Sequence, residues 1–496
     1  MELKKHNSKF NSPKQSVKIG LGYLIFGVVL LLFSGGKWNI PIASWLAPVF
    51  FIRFSRGQRP LIGFIIILPV SSLIAIITWE GLIPVQGPPY YVIHIIGGLF
   101  TALTYLIDRL VATRINNFLS TLIFPLTSVA FGFLHISTSL YGANGSLALT
   151  QNNLLFLQIL SITGMWGVIF LITWFASFIN WIWERNFKFE YVRIGTIVYI
   201  GVMVSVFLFG IIRLSFFPPN SETIRIASIS SKLPDPDLPT NDQSWDVFKN
   251  ESYKKQTEIL ALSKKASIVG AEIVTWREGE IYILKEDETE FVKQGSKLAE
   301  MQNMFLGMSI AVFTKDFPNV LAENKIVWID TTGTIIFEYF KALPTPTEKC
   351  VAGDGEVKML NYSKSKIAST ICFDLDFPNF ISKFGREKID IMLSPANDWY
   401  AIARIHPQQV SFRAIENGFS LVRPNPNFGL ATAFDYQGKM ISYVDFEKTK
   451  NEIMISDVPV KGVNTIYNII GDFFAWISSI GIVLIIIIVI FSKKNT

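Results

Sequence analysis

Apolar residues dominate the first 217 positions and again the last two dozen, in runs of membrane length, whereas the stretch between them mixes apolar and polar residues at short range. A spanning helix needs about 20 mostly apolar residues. Runs of that kind fall at 19 to 35, 39 to 52, 60 to 79, 89 to 107, 115 to 135, 153 to 183, 194 to 217 and 473 to 491, which predicts about eight spans, the second of them short. Pro218-Pro219 closes the seventh, because a proline pair cannot continue a helix. Beyond it the period alternates between strand and helix. Strands are predicted at Ile224–Ser230, Ala271–Trp276, Gly307–Phe313, Lys325–Asp330, Thr334–Phe340, Lys366–Cys372, Ile389–Ser394, Phe419–Val422, Gly429–Tyr436, Lys439–Val444 and Glu452–Val458, and helices at Glu251–Lys265, Glu288–Met304, Phe377–Phe384 and Pro407–Asn417. This is a mixed α/β domain set between membrane segments.

Composition agrees: 50% of the 496 residues are hydrophobic and only 17% charged, against about 25% charged in soluble domains. The net charge of +6 sits in short loops rather than on one face of a soluble domain, so it reads as topology and not as a nucleic-acid footprint. Lys4, Lys5, Lys9, Lys14 and Lys18 precede the first span, Arg53, Arg56 and Arg59 follow the second, Arg109 and Arg114 the fourth, Arg185, Lys188 and Arg193 the sixth, and Lys493 and Lys494 the eighth. The connections at 80 to 88 and 137 to 152 carry no Lys or Arg, and that at 36 to 38 carries only Lys37. Positive residues are retained on the cytoplasmic side. Both ends are therefore expected in the cytoplasm, with residues 1–18 a basic N-terminus, 19–217 a membrane domain of seven spans, 218–472 an extracytoplasmic domain, 473–491 a last transmembrane helix and 492–496 a cytoplasmic tail. The first apolar run has no small-residue cleavage site and is followed by further spans, so no cleavable signal peptide is expected.

Three polar residues of the α/β region each follow a predicted strand: Glu278 after Ile273-Val-Thr-Trp-Arg, Lys341 after Ile335-Ile-Phe-Glu-Tyr-Phe, and Cys372 after Ile367-Ala-Ser-Thr-Ile. A lone cysteine in an apolar strand is usually an inert core residue. Reactive groups, however, collect where strands of an α/β sheet end, and the three together supply what an attacking thiol needs, a base and a cation for the oxyanion. Of the four histidines only His406 lies in this region, so a histidine-ligated metal is not expected there, and a Cys-His pair with His406 is the lesser alternative. With just Cys350 and Cys372 at most one disulfide is possible, and a nucleophile must stay free of it.

The order Val274-Thr-Trp-Arg-Glu278, Tyr339-Phe-Lys341-Ala-Leu-Pro344 and Thr370-Ile-Cys372-Phe-Asp374 resembles the Glu-Lys-Cys triad of the nitrilase superfamily. Ser394-Pro-Ala-Asn397-Asp398-Trp399-Tyr400, Gln408-Gln-Val-Ser-Phe-Arg413-Ala-Ile-Glu416-Asn, and Arg423-Pro-Asn425-Pro-Asn427-Phe-Gly429 with Asp435-Tyr-Gln-Gly438 look like the segments that follow its nucleophile. A nitrilase-like domain between seven spans and an eighth is similar to the apolipoprotein N-acyltransferase family, as is Gly164-Met-Trp-Gly in the sixth span. The resemblance implies an αββα sandwich and, without a cofactor or metal, a two-step acyl transfer. Cys372 would take a fatty acyl group from a phospholipid as a thioester, with Glu278 as base and Lys341 as oxyanion stabiliser. The amine of a diacylglyceryl-cysteine lipoprotein would then accept it. Glu348, Asp374, Asn397 and Asp398 are implied as supporting residues. The partners implied are membrane lipids and lipoproteins, not nucleic acid, for a monomer in a bacterial plasma membrane. Four positions depart from the family's pattern: Arg277 replaces its usual Pro, Thr345-Pro-Thr-Glu348 its Phe-Gly-Glu, Phe373-Asp374 its larger aromatic-acidic pair, and Phe131-Gly-Phe-Leu-His135 in the fifth span its usual Trp and Glu. These departures keep open an amidase, or an acyltransferase for another amine.

Overall fold

The computed structural model describes residues 17–239 and 244–492; the basic positions Lys4, Lys5, Lys9, Lys14, Lys493 and Lys494 lie outside the described residues. Among the described residues six helices are long and apolar enough to cross a bilayer: Pro60–Trp79, Pro88–Arg114, Phe118–Thr138, Met165–Trp183, Phe189–Phe216 and Phe473–Phe491. The first two predicted spans fold as shorter helices, Val17–Leu32 and Pro41–Gly57. The second ends on a polar knot, in which buried Arg56 forks onto Asp108 at 2.8 Å through both Nε and Nη2 and reaches Glu184 at 3.1 Å, tying three helix ends together. The predicted run 153 to 183 is not one helix. Gly164 takes a φ of +60°, and a Cβ there would stand 2.5 Å from the Tyr467 ring, so the chain breaks and only Met165–Trp183 continues.

The α/β domain is two stacked sheets. One runs Ile453–Pro459, Thr223–Ile229, Ile273–Trp276, Phe305–Phe313, Glu323–Ile329, Ile335–Phe340, with Ile281–Leu284 also paired to Phe305–Phe313; the other runs Met440–Asp445, Leu430–Phe434, Ser420–Arg423, Ile391–Leu393, Ser365–Ser369, Met359–Tyr362. Alternation sorts the side chains between layers. Ile224, Ile226, Ile326 and Trp328 meet Ile367, Ile391 and Leu421 between the sheets, while Ala227, Ile229, Val327 and Ile329 turn outward onto the helices Trp245–Ile268 and Lys285–Gln302. Pro378–Arg386 and His406–Asn417 cover the second sheet, completing an αββα sandwich. Trp328 donates its indole N–H to Ser369 at 2.8 Å across the inter-sheet core, the polar contact a buried indole requires.

The predicted strand Lys366–Cys372 ends three residues early, at Ser369, and Cys372 instead opens a 3₁₀ turn, Cys372–Asp376. Two short strands, Ile281–Leu284 and Met359–Tyr362, are not foreseen by the sequence pattern, being four residues each and too short to show a period. The sandwich is bonded to the membrane helices at several points. Trp399 donates to the Gly81 carbonyl at 3.0 Å, the Ala143 N–H to the Asp376 carbonyl at 2.7 Å, the Met165 N–H to Glu416 at 3.0 Å, and Trp166 to Asp472 at 2.6 Å.

Candidate active site

Strand ends from both sheets converge on one buried cluster. The strand Ile273–Trp276 delivers Glu278 two residues beyond its end, Ile335–Phe340 delivers Lys341 immediately after, and the turn following Ser365–Ser369 delivers Cys372. All three are buried. Lys341 Nζ donates to Glu278 Oε1 at 2.8 Å and to both oxygens of Glu348 at 2.7 Å. Asn324 donates to the same Glu278 oxygen at 2.8 Å, and the Asn397 N–H to the other at 2.9 Å, so the carboxylate is fixed from three sides.

The electrostatics follow from that packing. Burial opposes ionisation of Glu278, but Lys341 and Asn324 outweigh it and hold the carboxyl below its ordinary range. Burial likewise works against the Lys341 cation, yet Glu278, Cys372 and Glu348 push its pKa well above a normal lysine. Burial, with the negative charges of Glu278 and Asp398, drives the Cys372 thiol well above 9, and the thiol shares a hydrogen bond with Glu278. At neutral pH the arrangement is a carboxylate, an ammonium and a neutral thiol: a base ready to take the sulfur's proton as it attacks, beside a cation for the oxygen that becomes negative.

Cys372 has a φ of +43°, left-handed backbone that costs an L-residue about 1–2 kcal/mol. The turn is held by the Cys372 N–H to the Pro395 carbonyl at 2.8 Å and by Asp374, which accepts from the Ile371 N–H at 2.9 Å, the Leu343 N–H at 2.8 Å and Tyr339 Oη at 2.7 Å. Asp374 is thus a staple between the Cys turn and the segment after Lys341, and burial lifts its pKa to about 6. Glu348, rather than Asp374, is the second carboxylate facing Lys341. Asn397 lines the cavity above the thiol, whereas Asp398 lies beneath it, 3.8 Å from Sγ.

In the other half of this layer sequence reasoning named Asp398 but gave Arg423 no role. Arg423, fully buried at the end of Ser420–Arg423, forks onto Asp398 at 2.6 and 2.8 Å and reaches Cys372 Sγ at 3.9 Å. His406 is engaged by carboxylates on both sides, its Nδ1 contacting Asp398 at 2.8 Å and its Nε2 contacting Asp376 at 3.0 Å. Burial disfavours the imidazolium, but the two carboxylates prevail and raise His406 to about 9. Cys372, Asp398 and His406 bring their donor atoms within 4.8 Å of one another. The Arg423 guanidinium already fills that space, so a metal ion would have to displace it, and the donors form an ion-pair network rather than a ligand set. Arg277, in the place of the usual Pro, pairs with Glu280 at 2.9 Å and with Asp235 in a buried network that Lys255 joins. The signal available in the sequence was a charged residue, Arg423, at the end of a short apolar strand, with Asn425 two residues beyond and Asp398 in the loop after the neighbouring strand Ile391–Leu393.

Above the triad opens a cavity of about 270 Å³. Its walls include Tyr282, Phe313, Phe317 and Cys350 from the sandwich, Trp399 from the loop after Ile391–Leu393, and Pro84 from the connection between the helices Pro60–Trp79 and Pro88–Val111. Cys350 and Cys372 both line it as free thiols.

Residues 247–466 match the carbon-nitrogen hydrolase family. The chain is similar to an apolipoprotein N-acyltransferase of Rickettsia prowazekii, 22% identical over 356 residues covering 66% of this chain and 68% of the relative. It is similar to another of Geobacter metallireducens, 25% identical over 365 residues covering 67% of each. Of solved structures, an amidase from Nesterenkonia sp. aligns with a TM-score of 0.39 at 15% identity, covering 49% of this chain and 92% of the amidase.

Proposed function

We infer that this chain, a membrane protein whose αββα domain belongs to the carbon-nitrogen hydrolase family, is an acyltransferase that N-acylates lipoproteins with a fatty acid taken from a phospholipid. The observation that carries the reading is a buried Glu278, Lys341 and Cys372 under a cavity whose wall is shared between the catalytic domain and a loop of the membrane helices. A lipid ester and a membrane-anchored amine can both reach such a site without leaving the bilayer surface.

Glu278 takes the thiol proton as Cys372 Sγ attacks the ester carbonyl. Lys341 Nζ stabilises the oxyanion of the tetrahedral intermediate, helped by the water-poor surroundings. Collapse breaks the ester C–O bond, the departing lysophospholipid alkoxide takes the proton back from Glu278, and a Cys372 thioester remains. In the second half the α-amine of a diacylglyceryl-cysteine attacks the same carbonyl and gives its proton to Glu278. The C–S bond then breaks, leaving an amide and a sulfur that recovers the proton. Glu348 keeps Lys341 charged and aimed, and the Asn397 N–H orients Glu278.

The alternation of connections rich in Lys and Arg with connections that hold only Lys37 or none supports residues 218–472 as the catalytic segment on the extracytoplasmic face of a bacterial plasma membrane. Detergent-purified protein incubated with phospholipid alone is expected to gain one acyl mass that hydroxylamine removes. Cys372→Ala and Glu278→Gln should gain none, and added diacylglyceryl lipopeptide should discharge the adduct as N-acyl lipopeptide. Wild type that forms no adduct would refute the acyl-enzyme route, and discharge only to free fatty acid would make the protein a hydrolase.

A further inference from the structure

We propose that Arg423 is a second catalytic cation of this site, acting on the Cys372 sulfur while Lys341 acts on the carbonyl oxygen, and that Asp398 and His406 are the residues that position it. The proposal rests on Cys372 being the nucleophile. Its starting point is a division of labour in the geometry. Lys341 Nζ is committed to Glu278 and Glu348 at 2.7 to 2.8 Å on the cavity side of the site. Arg423 approaches from the second sheet, with Nη2 3.9 Å from Sγ. The sulfur thus feels two cations contributed by different sheets of the sandwich.

The chemistry gives the second cation a task that Lys341 cannot perform alone. When the amine displaces the thioester, the carbonyl oxygen surrenders its negative charge and the C–S electron pair leaves on sulfur. For the interval before Glu278 returns the proton, the charge sits on a thiolate buried away from water. Asp398, 3.8 Å from the same sulfur, would by itself oppose that charge. The guanidinium offsets both the Asp398 carboxylate and the developing thiolate.

The supporting network also exceeds what a plain salt bridge requires. Carboxylates bracket both ring nitrogens of His406, Asp398 on Nδ1 and Asp376 on Nε2. Arg423 Nη2 also lies 2.9 Å from His406 Nδ1, so the guanidinium, the imidazole and Asp398 meet at one point. Asn425 closes the remaining side by donating to Asp398 Oδ2 at 3.0 Å. Because Asp376 ends the turn that begins at Cys372, the relay from turn to imidazole to carboxylate to guanidinium returns to the sulfur it started from, fixing the distance between them.

Thiolate chemistry can be read without any lipid. In full-length protein carrying Cys350→Ala, so that one thiol remains, iodoacetamide alkylation of Cys372 is followed by intact mass from pH 6 to 10. The groups facing the sulfur in this titration are Glu278, Lys341, Asp398 and Arg423, with His406, Asp376 and Glu348 one contact further out. Arg423→Gln is expected to slow alkylation at pH 8 at least about tenfold and to move the pH midpoint up by about one unit or more, since one unit is a factor of ten. Adding Asp398→Asn to Arg423→Gln removes the uncompensated carboxylate and should recover most of the loss. Asp398→Asn alone leaves the guanidinium unneutralised and should speed alkylation about fivefold or more, which keeps the test open if Arg423→Gln does not fold. Arg423→Gln with the parental pH profile, or Asp398→Asn with an unchanged rate, overturns the proposal whatever happens to Tm. Because alkylation needs no acyl donor, a parent that forms no acyl adduct when incubated with phospholipid would sink the acyl-transfer reading while leaving this measurement valid.

Discussion

Replacing Lys341 by Met tests the electrostatic argument most directly. The ammonium is 2.8 Å from Glu278 Oε1, and both side chains are at least 95% buried, with relative exposures of 2% and 5%. At an effective dielectric constant of about 20 the pair attraction is roughly 6 kcal/mol. Desolvation of the two ions offsets much of it, so breaking the pair should cost about 3–5 kcal/mol of stability, mostly through the carboxylate left behind. That carboxylate has a second way out, which is to bind a proton. Losing the cation raises the Glu278 pKa, so the base takes up a proton more readily as pH falls. Two effects then act on acylation. The oxyanion loses its cation, worth about 10²- to 10³-fold, and the base is protonated. The first is independent of pH and the second is not. Single-turnover acyl-enzyme formation, measured by intact mass between pH 6 and 9, should therefore fall at least about 10²-fold at pH 7 in Lys341→Met, and the residue of activity should climb with pH where the wild type is flat. Acylation within about tenfold of wild type, or a residual rate flat in pH, would falsify the assignment of Lys341 as both the oxyanion cation and the group that keeps Glu278 ionised.

Glu348→Gln should be milder, about 3- to 10-fold in acylation, because Glu348 is 30% exposed and solvent screens its contact with Lys341; a loss as large as that of Glu278→Gln would mean that Glu348 handles a proton itself. Cys372→Gly should be at least as stable as Cys372→Ala despite the flexibility of glycine, because only the former is free of the left-handed penalty at φ +43°; a Tm lower by several degrees would contradict the strained turn. His406 has its folded pKa raised to about 9 from 6.5, so its contribution to stability is complete below about pH 6.5 and is lost as pH climbs through 9, up to about 3 kcal/mol. Denaturant midpoints at pH 6 and 9.5 should differ accordingly in wild type and converge in His406→Asn.

Much of this protein is local, and the local part was legible. Membrane-length apolar runs identify themselves because the bilayer sets their length, and period-two alternation assigns Ile224, Ile226, Ile326 and Trp328 to one face of their strands before any fold is known. Glu278, Lys341 and Cys372 were each placed at a strand end by the same reasoning. What failed failed for physical reasons. Gly164 and the Tyr467 ring that forbids any Cβ there are 303 positions apart, so the break in the predicted sixth span depends on a neighbour that the apolar run cannot reveal. Cys372 continues an apolar run but leaves the strand at Ser369, because Asp374 and the Pro395 carbonyl capture the backbone first. Ion pairs are less legible still. Nothing within a few residues of Arg423 says that its charge will rest against Asp398, His406 and a sulfur from another strand, since the energy of that cluster comes from burying opposite charges together and not from any property of the segments that carry them. The sequence by itself determined most of the membrane segments, the mixed α/β character of the domain between them and the types of reactive group; only the tertiary structure decided which charges surround the thiol, because electrostatic neighbours in a buried site are chosen by strand order and packing rather than by distance along the chain.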